Sequence, residues 1–224
     1  MIEIVSATRM SQDEFLNKSA LGLSLQRIGQ EKRIAACVAF ANGRGLPKIY
    51  NSRITAGDNV EALVFMHDDV WIDDYFLVDR VLEGLKTYDV IGVVGNRRSV
   101  KGQAGWAAVD AKSASEEAKN LSGAIAHGKD PFGPVSFFGP TPADVEFIDG
   151  VFIAARKSVL NEKGVFFDTR FDFHFYDVDF CRTARQHGLR IGTWPICLTH
   201  QSGGAYGTPQ WTENYKVYKD KWER

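Results

Sequence analysis

Glu61-Ala62-Leu63-Val64-Phe65-Met66-His67-Asp68-Asp69-Val70 (EALVFMHDDV) is the stretch on which the fold turns. Its apolar part, Ala62 to Met66, is unbroken and bounded by charge. A strand buried on both faces reads this way, and such strands sit at the centre of parallel sheets. The carboxylates follow at once, so rigid backbone delivers His67, Asp68 and Asp69 together to one sheet edge. Neighbouring carboxylates repel there unless a proton or a cation neutralises them. A hard cation, Mg2+ or Mn2+, shared between one or two protein groups and the phosphate oxygens of a ligand, is one partner that fits. The other reading is a polar loop whose aspartates cap a helix beginning near Asp73 and Asp74. Spacing alone leaves both open.

Working outward, residues 2–7 form a short β-rich run. Ser11 with Glu14 three positions on has the pattern of a capping box, which opens a helix with Phe15, Leu16, Ala20, Leu23 and Arg27 on one face and Gly29 at its end. Residues 33–41 are small and apolar enough for a buried strand, and Asn42-Gly43-Arg44-Gly45 supplies loop chemistry after it. Beyond the acidic motif, residues 74–86 have helical periodicity and residues 90–94 form another apolar strand. This alternation predicts an α/β fold, a Rossmann-like three-layer sandwich with a mostly parallel central sheet. Ligands in such sheets bind beyond the carboxyl ends of the strands.

Residues 96–144 break the pattern. Gly, Ser, Pro and Ala dominate there, which predicts a long irregular segment of functional character. Its aromatic residues Trp106, Phe132, Phe137 and Phe138 are candidates for stacking on sugar rings, or for packing into the core. Regularity returns as a strand over 145–155, a helix over 177–187 stopped by Gly188, a strand over 189–194, and an amphipathic helix over 211–224.

Composition narrows the function. The 224 residues, 44% of them hydrophobic, suffice for one buried core and are few for two, so one domain spanning 1–224 is expected. Lys plus Arg number 27 against 28 Asp plus Glu, so no overall field favours nucleic acid. Cys37, Cys181 and Cys197 lack metal or redox spacing and read as buried free thiols in a reducing compartment. No apolar run is long enough to span a bilayer, and MIEIVSATR reads as a first strand and not as a signal peptide. A cytoplasmic location, at most peripheral to the inner face of a membrane, is expected.

A second acidic constellation lies at Phe175-Tyr176-Asp177-Val178-Asp179-Phe180, where an aromatic loop turns into a helix. A carboxylate at a helix amino end is favoured in its ionised form, and one aimed into a pocket can act as a general base. Either Asp could instead be an N-cap. Asp179 fits the structural role better, being further into the helix and placed to pair with Arg182.

Together these segments resemble the family-2 glycosyltransferases, and a branch in which His-x-Asp replaces Asp-x-Asp. Lys48-Ile49-Tyr50-Asn51-Ser52-Arg53 followed by EALVFMHDDVWI is similar to that branch's YN and LVFLHxDVYI segments. Phe147 to Val159, FIDGVFIAARKSV, is similar to the family's dGxfmxxRksv. Phe167-Asp168, YDVDFCRTARQHGLRIG and Thr199-His200 follow in family order. The resemblance implies a GT-A fold and metal-assisted transfer from a nucleotide-sugar donor to a glycan or other acceptor hydroxyl, with inversion. It also implies a division into a nucleotide-sugar-binding half (1–95), an acceptor-side segment (96–144) and a catalytic half (145–224). On this chain it puts the metal (Mn2+ or Mg2+) on Asp69, His67 and His200 and the base on Asp177. Asp68, Asp149 and Gly150 become donor or acceptor contacts, as do Trp106, Tyr176 and Asn51. Arg9 and Arg53 are candidates for phosphate, and Gly203 to Gly207 for a flap over the donor.

Two departures stand out. Tyr176 occupies a position that is commonly Glu, and residues 39–45 (AFANGRG) lack the usual acid for the nucleobase, leaving Asn42 as one substitute. The rival readings are a noncatalytic nucleotide-sugar-binding domain and a metal-dependent phosphoesterase or nucleotidyltransferase.

Overall fold

The computed structural model describes residues 1–108, 116–202 and 206–223. At its centre Ala62–Met66 forms strand β3, with every side chain buried. On one side β3 pairs in parallel with β1 (Ile2–Ala7), and β1 with β2 (Ile34–Ala39). On the other it pairs antiparallel with β11 (Phe152–Arg156), which takes β5 (Val90–Gly92), also antiparallel. β12 (Ile191–Thr193) adds parallel to β5, and the short β9 (Ala143–Asp144) closes the seven-stranded sheet. The expected α/β sandwich is present, but its sheet is mixed and not mostly parallel. The reason is local: β11 arrives through a tight turn from a second sheet, without a helical crossover, and so runs against both neighbours.

That second sheet combines β4 (Val70–Ile72), β6 (Val94–Asn96), β7 (Leu121–His127), β10 (Phe147–Ile148) and β13 (Leu198–His200), in the order β10-β6-β7-β13-β4. β8 (Val135–Gly139) pairs with β7. The segment 96–144, expected to be irregular, therefore supplies two strands of this sheet. Small residues obscure them in the sequence, and at Gly123 (φ 94°) a β-carbon would lie 2.0 Å from the Val93 carbonyl oxygen, so only glycine fits the register shift there. The single strands expected over 90–94 and 145–155 are each divided, because the chain changes sheets at Val93 and at Asp149-Gly150-Val151.

Helices flank the sheets. The capping box is present: Ser11 Oγ accepts from the Glu14 N–H, and Glu14 accepts from the Ser11 N–H, opening α1 (Gln12–Lys18). The helix does not continue as expected. Ser19 is extended, and its hydroxyl caps a new helix, α2 (Ala20–Arg27), by accepting from Gly22 N–H at 2.9 Å. An unforeseen α3 (Leu46–Ile54) starts with Pro47 in its first turn, where a missing N–H costs nothing. α4 (Leu77–Thr87) packs on β5 and β11, and α5 (Lys157–Lys163) on β11. β2, expected to be buried, is a partly exposed edge strand. Of the free cysteines only Cys181 is buried, while Cys37 is partly buried and Cys197 exposed. Among the described residues no helix is long and apolar enough to cross a membrane.

The last two helices, α6 (Tyr176–Gln186) and α7 (Pro209–Trp222), are tied by one buried carboxylate. Asp179 accepts from Lys221 Nζ at 3.0 Å and from the Trp222 indole N–H at 2.7 Å. It does not pair with Arg182 as expected, because that guanidinium lies over the rings of Phe147, Tyr218 and Trp222 at 5.3–5.6 Å. Asp179→Ala leaves the Trp222 indole N–H without its partner while Lys221 keeps Asp168 at 2.9 Å, so unfolding stability should fall by about 1–3 kcal/mol. Denaturant titration checks this, and protease cleavage should appear first in α7.

Candidate functional site

Strand register assembles the site. β4 begins immediately after Asp69 and pairs with β13 so that His200 faces Val70, while the Gln201 N–H donates to the Asp69 carbonyl at 3.0 Å. β11 sets Phe152 opposite Met66, and the His67 N–H reaches the Val151 carbonyl at 3.4 Å. The turn at Asp149-Gly150 is thereby held beside His67 and Asp68. The start of α6 grips the same turn: Gly150 N–H donates to Asp177 Oδ2 at 3.1 Å, and the Tyr176 hydroxyl donates to the Gly150 carbonyl at 2.9 Å.

These segments line one cavity of about 490 Å³. Asp69 Oδ1 lies 3.4 Å from His200 Nε2 and 4.0 Å from His67 Nδ1. One ligand atom from each of the three falls within 4.8 Å of the others. Asp69 Oδ1 is buried and makes no well-formed hydrogen bond, its near neighbour being the His200 ring at 3.4 Å, so it has capacity left for a cation or a ligand. A carboxylate flanked by two imidazoles is a donor set that suits a divalent ion such as Mn2+. Asp68 lines the cavity as well.

The two ends of the cavity differ electrostatically. Burial disfavours ionisation of Asp69, but its contact with His200 and the charges of both histidines outweigh this and lower its pKa to about 2. His200 is raised, since Asp69 overcomes the effect of burial. Burial dominates at His67, whose pKa is lowered even against the charge of Asp69. Asp177 is pushed up to about 7, first by burial and then by the charge of Asp149, against the pull of backbone N–H groups. Tyr176, deeply buried, is raised well above the ordinary phenol range and keeps its proton.

The profile of a glycosyltransferase-like family matches residues 33–218. The chain belongs to that family. No curated protein matches it in sequence. The catalytic domain of Drosophila β1,4-galactosyltransferase 7, solved with xylobiose, superposes with a TM-score of 0.53 at 10% identity, over 96% of this chain and 79% of that one. S. aureus TarS, residues 1–349, gives a TM-score of 0.49 at 12% identity over 89% of this chain. This chain spans 60% of that TarS chain. The fold is thus the α/β GT-A fold of glycosyltransferases.

Within this glycosyltransferase fold the expected residues divide. His67, Asp68, Asp69, Asp149, Gly150 and Trp106 come together with Tyr176, Asp177 and His200. Trp106 is held by its indole N–H on Asp149 Oδ2 at 2.5 Å. Gly150 does not leave room for a sugar hydroxyl at its α-carbon: a β-carbon there would meet Tyr176 Oη at 2.3 Å, so the tyrosine already fills that space.

Other expected contacts lie elsewhere. Arg53 is bound bidentately by Glu3 at 2.8 and 2.9 Å and by Asp58, near the amino ends of the strands, so it is not available to phosphate in the cavity. Asn51 exchanges hydrogen bonds with the Phe167 backbone at 2.8 and 2.9 Å and is a structural tie. Arg9 is exposed and outside the cavity lining. Asn42 closes on Arg44 within its own loop. Phe132 and Phe137 face solvent, and Phe138 packs edge-on against Trp106 at 5.0 Å. In the expected flap, Gly203 to Ala205 lie outside the described residues. His127, Phe173, His174 and Trp211 line the cavity without having been expected there. For His127 the signal was available only through β7, whose last residue pairs with His200.

The raised pKa of Asp177 has a stability consequence. Between about pH 4 and 7 the folded protein holds a proton that the unfolded chain releases, so this group's contribution falls as pH rises through that window. The melting temperature of Asp177→Asn relative to the parent should therefore improve from pH 5 to pH 8, which scanning calorimetry at several pH values measures.

Proposed function

We propose that the protein transfers a sugar from a nucleoside-diphosphate sugar to an acceptor hydroxyl of a glycan with inversion. Asp69, His67 and His200 hold a divalent cation, with His67 in the first place of a His-x-Asp motif, and Asp177 serves as general base. The observation that carries this reading is the buried Asp69 Oδ1 set between two imidazoles at 3.4 and 4.0 Å, in the same cavity as a carboxylate whose pKa is near neutrality. When bound, Mn2+ or Mg2+ supplies positive charge against the donor diphosphate.

The chain's own groups do the rest. Gly150 N–H orients Asp177 by binding Oδ2, and the carboxylate takes the acceptor's hydroxyl proton as that oxygen bonds to the donor's anomeric carbon and the bond from this carbon to the diphosphate breaks, releasing the nucleoside diphosphate. A base titrating near 7 is ionised at working pH yet still basic enough to accept that proton. Asp149 uses Oδ1 on the Val151 N–H and Oδ2 on Trp106, so it fixes the cavity wall and supplies the charge that tunes Asp177. The cytoplasm as working compartment fits the three free thiols. A two-metal hydrolase would need a second ligand cluster, and among the described residues His67, Asp69 and His200 are the group found.

Calorimetry against a panel of nucleoside-diphosphate sugars, with and without Mn2+, tests the reading: metal-dependent binding of at least one donor is expected, and none under any metal condition defeats it. Asp69→Asn should weaken that binding at least tenfold. Asp177→Asn should keep donor binding and lower kcat by about 10²–10⁴-fold. In the parent protein kcat should rise with pH through about 7, as the base loses its proton.

A further inference from the structure

Tyr176 sits where the family resemblance would put a second acid, and its hydroxyl reaches two groups. It is 2.9 Å from the Gly150 carbonyl and 2.8 Å from His67 Nε2. A carbonyl can only accept, whereas the neighbouring Tyr50 hydroxyl can donate, so the single phenolic proton goes to Gly150. The phenolic oxygen is then an acceptor toward His67, and a hydrogen bond at 2.8 Å requires the proton to sit on Nε2. In a neutral imidazole this leaves the lone pair on Nδ1, the nitrogen that faces Asp69 Oδ1 at 4.0 Å.

We infer that Tyr176 is a positioning residue that holds His67 as its Nε2–H tautomer, so that Nδ1 presents a lone pair to the cation site beside Asp69. The inference rests on the metal reading given above. It joins the histidine at position 67 and the departure at position 176 in a single device: an imidazole in the first motif position has two tautomers, only one of which ligates through Nδ1, and the tyrosine selects it.

The surroundings allow little freedom. The phenol ring packs edge-on against Tyr50 at 5.9 Å and at a tilt against Phe167 at 6.0 Å. The imidazole stacks on Phe173 at 5.7 Å with an interplanar angle of 25°. Gly150 is required because a β-carbon there would occupy the position of the hydroxyl. Partners of this kind, which orient a ligating histidine through its other nitrogen, typically change metal affinity about 10–100-fold when removed.

The test is long-range ¹⁵N–¹H NMR of the imidazoles in metal-free protein at a pH where His67 is neutral, with His67→Gln used only to assign the signal. The parent protein should show His67 as the Nε2–H tautomer, a measurement that needs no folded variant. Tyr176→Phe should move it to a tautomer mixture and weaken Mn2+ binding, followed by EPR titration, about tenfold or more. Finding the Nδ1–H form or a mixture in the parent overturns the inference, as does a Tyr176→Phe protein whose tautomer and Mn2+ affinity are both unchanged. A parent with the Nε2–H tautomer that binds no Mn2+, with or without nucleoside diphosphate, overturns the metal reading and with it the purpose assigned to Tyr176. A folding defect in Tyr176→Phe would appear in circular dichroism, and the parent's tautomer would still decide.

Discussion

Both backbone groups of Gly150 are bound by the first two side chains of α6, and the site is built around that grip. The peptide belongs to the turn that carries the chain from the second sheet into β11, so it sits next to the end of β3, where His67 begins the acidic motif. Holding α6 there has a cost. Its N-cap, Phe175, adopts a left-handed conformation (φ 67°), which in a residue with a β-carbon costs about 1–2 kcal/mol. The same ring is buried against Trp211, Tyr215 and Tyr218, and burying a phenylalanine returns about 2 kcal/mol. The two terms are of one size, so α7, far along the chain and outside the catalytic motifs, is part of what keeps Asp177 in place.

Burial acts in the same direction on Asp69 and Asp177, raising both pKa values, yet the two end about five units apart. Neighbours decide the difference. Asp69 faces two imidazoles, while Asp177 faces the carboxylate of Asp149. One cavity thus contains a carboxylate that stays ionised and one that exchanges a proton near neutrality, the separation expected where one acid binds charge and another moves protons. His67 and His200 divide in the same way. His200, nearer Asp69, is drawn toward its charged form, and His67, where desolvation outweighs the neighbouring carboxylates, toward neutrality.

How much of this was legible in the sequence depends on distance along the chain. The β3 run and the Ser11 to Glu14 capping box are local signals, and both survive intact. The gathering of the acidic motif, Asp149, Asp177 and His200 into one cavity followed from their order and types by resemblance, and the geometry agrees. What was not legible depends on pairing between distant segments. Residues 90–94 are apolar throughout, so nothing there marks a change of sheet, and at 145–155 the Asp149-Gly150 pair marks a turn without showing that the strand beyond it joins another sheet. The Gly- and Ala-rich β7 looks like loop, since its neighbours on both sides, not its own propensity, make it a strand. His127 was invisible for the same reason.

Asn51 and Arg53 show why a shared motif is not a list of ligands. Both belong to the segment that resembles the family, and neither reaches the cavity. Arg53 ties α3 to β1 through Glu3, and Asn51 ties α3 to the backbone at Phe167. Phe167 in turn packs against Phe65 of β3 and stacks on Phe180 of α6 at 4.2 Å. The helix α3 therefore links the strand that ends at His67 to the helix that starts at Tyr176. Its motif residues act on the site at one remove, by fixing the distance between the elements that carry the acids. A paired side-chain amide on a backbone N–H and carbonyl does this with little freedom, and replacing it with a carboxylate, which only accepts, would lose one of the two bonds. The requirement for asparagine at position 51 is thus geometric, and a geometric requirement leaves the same mark in a sequence as a contact with substrate.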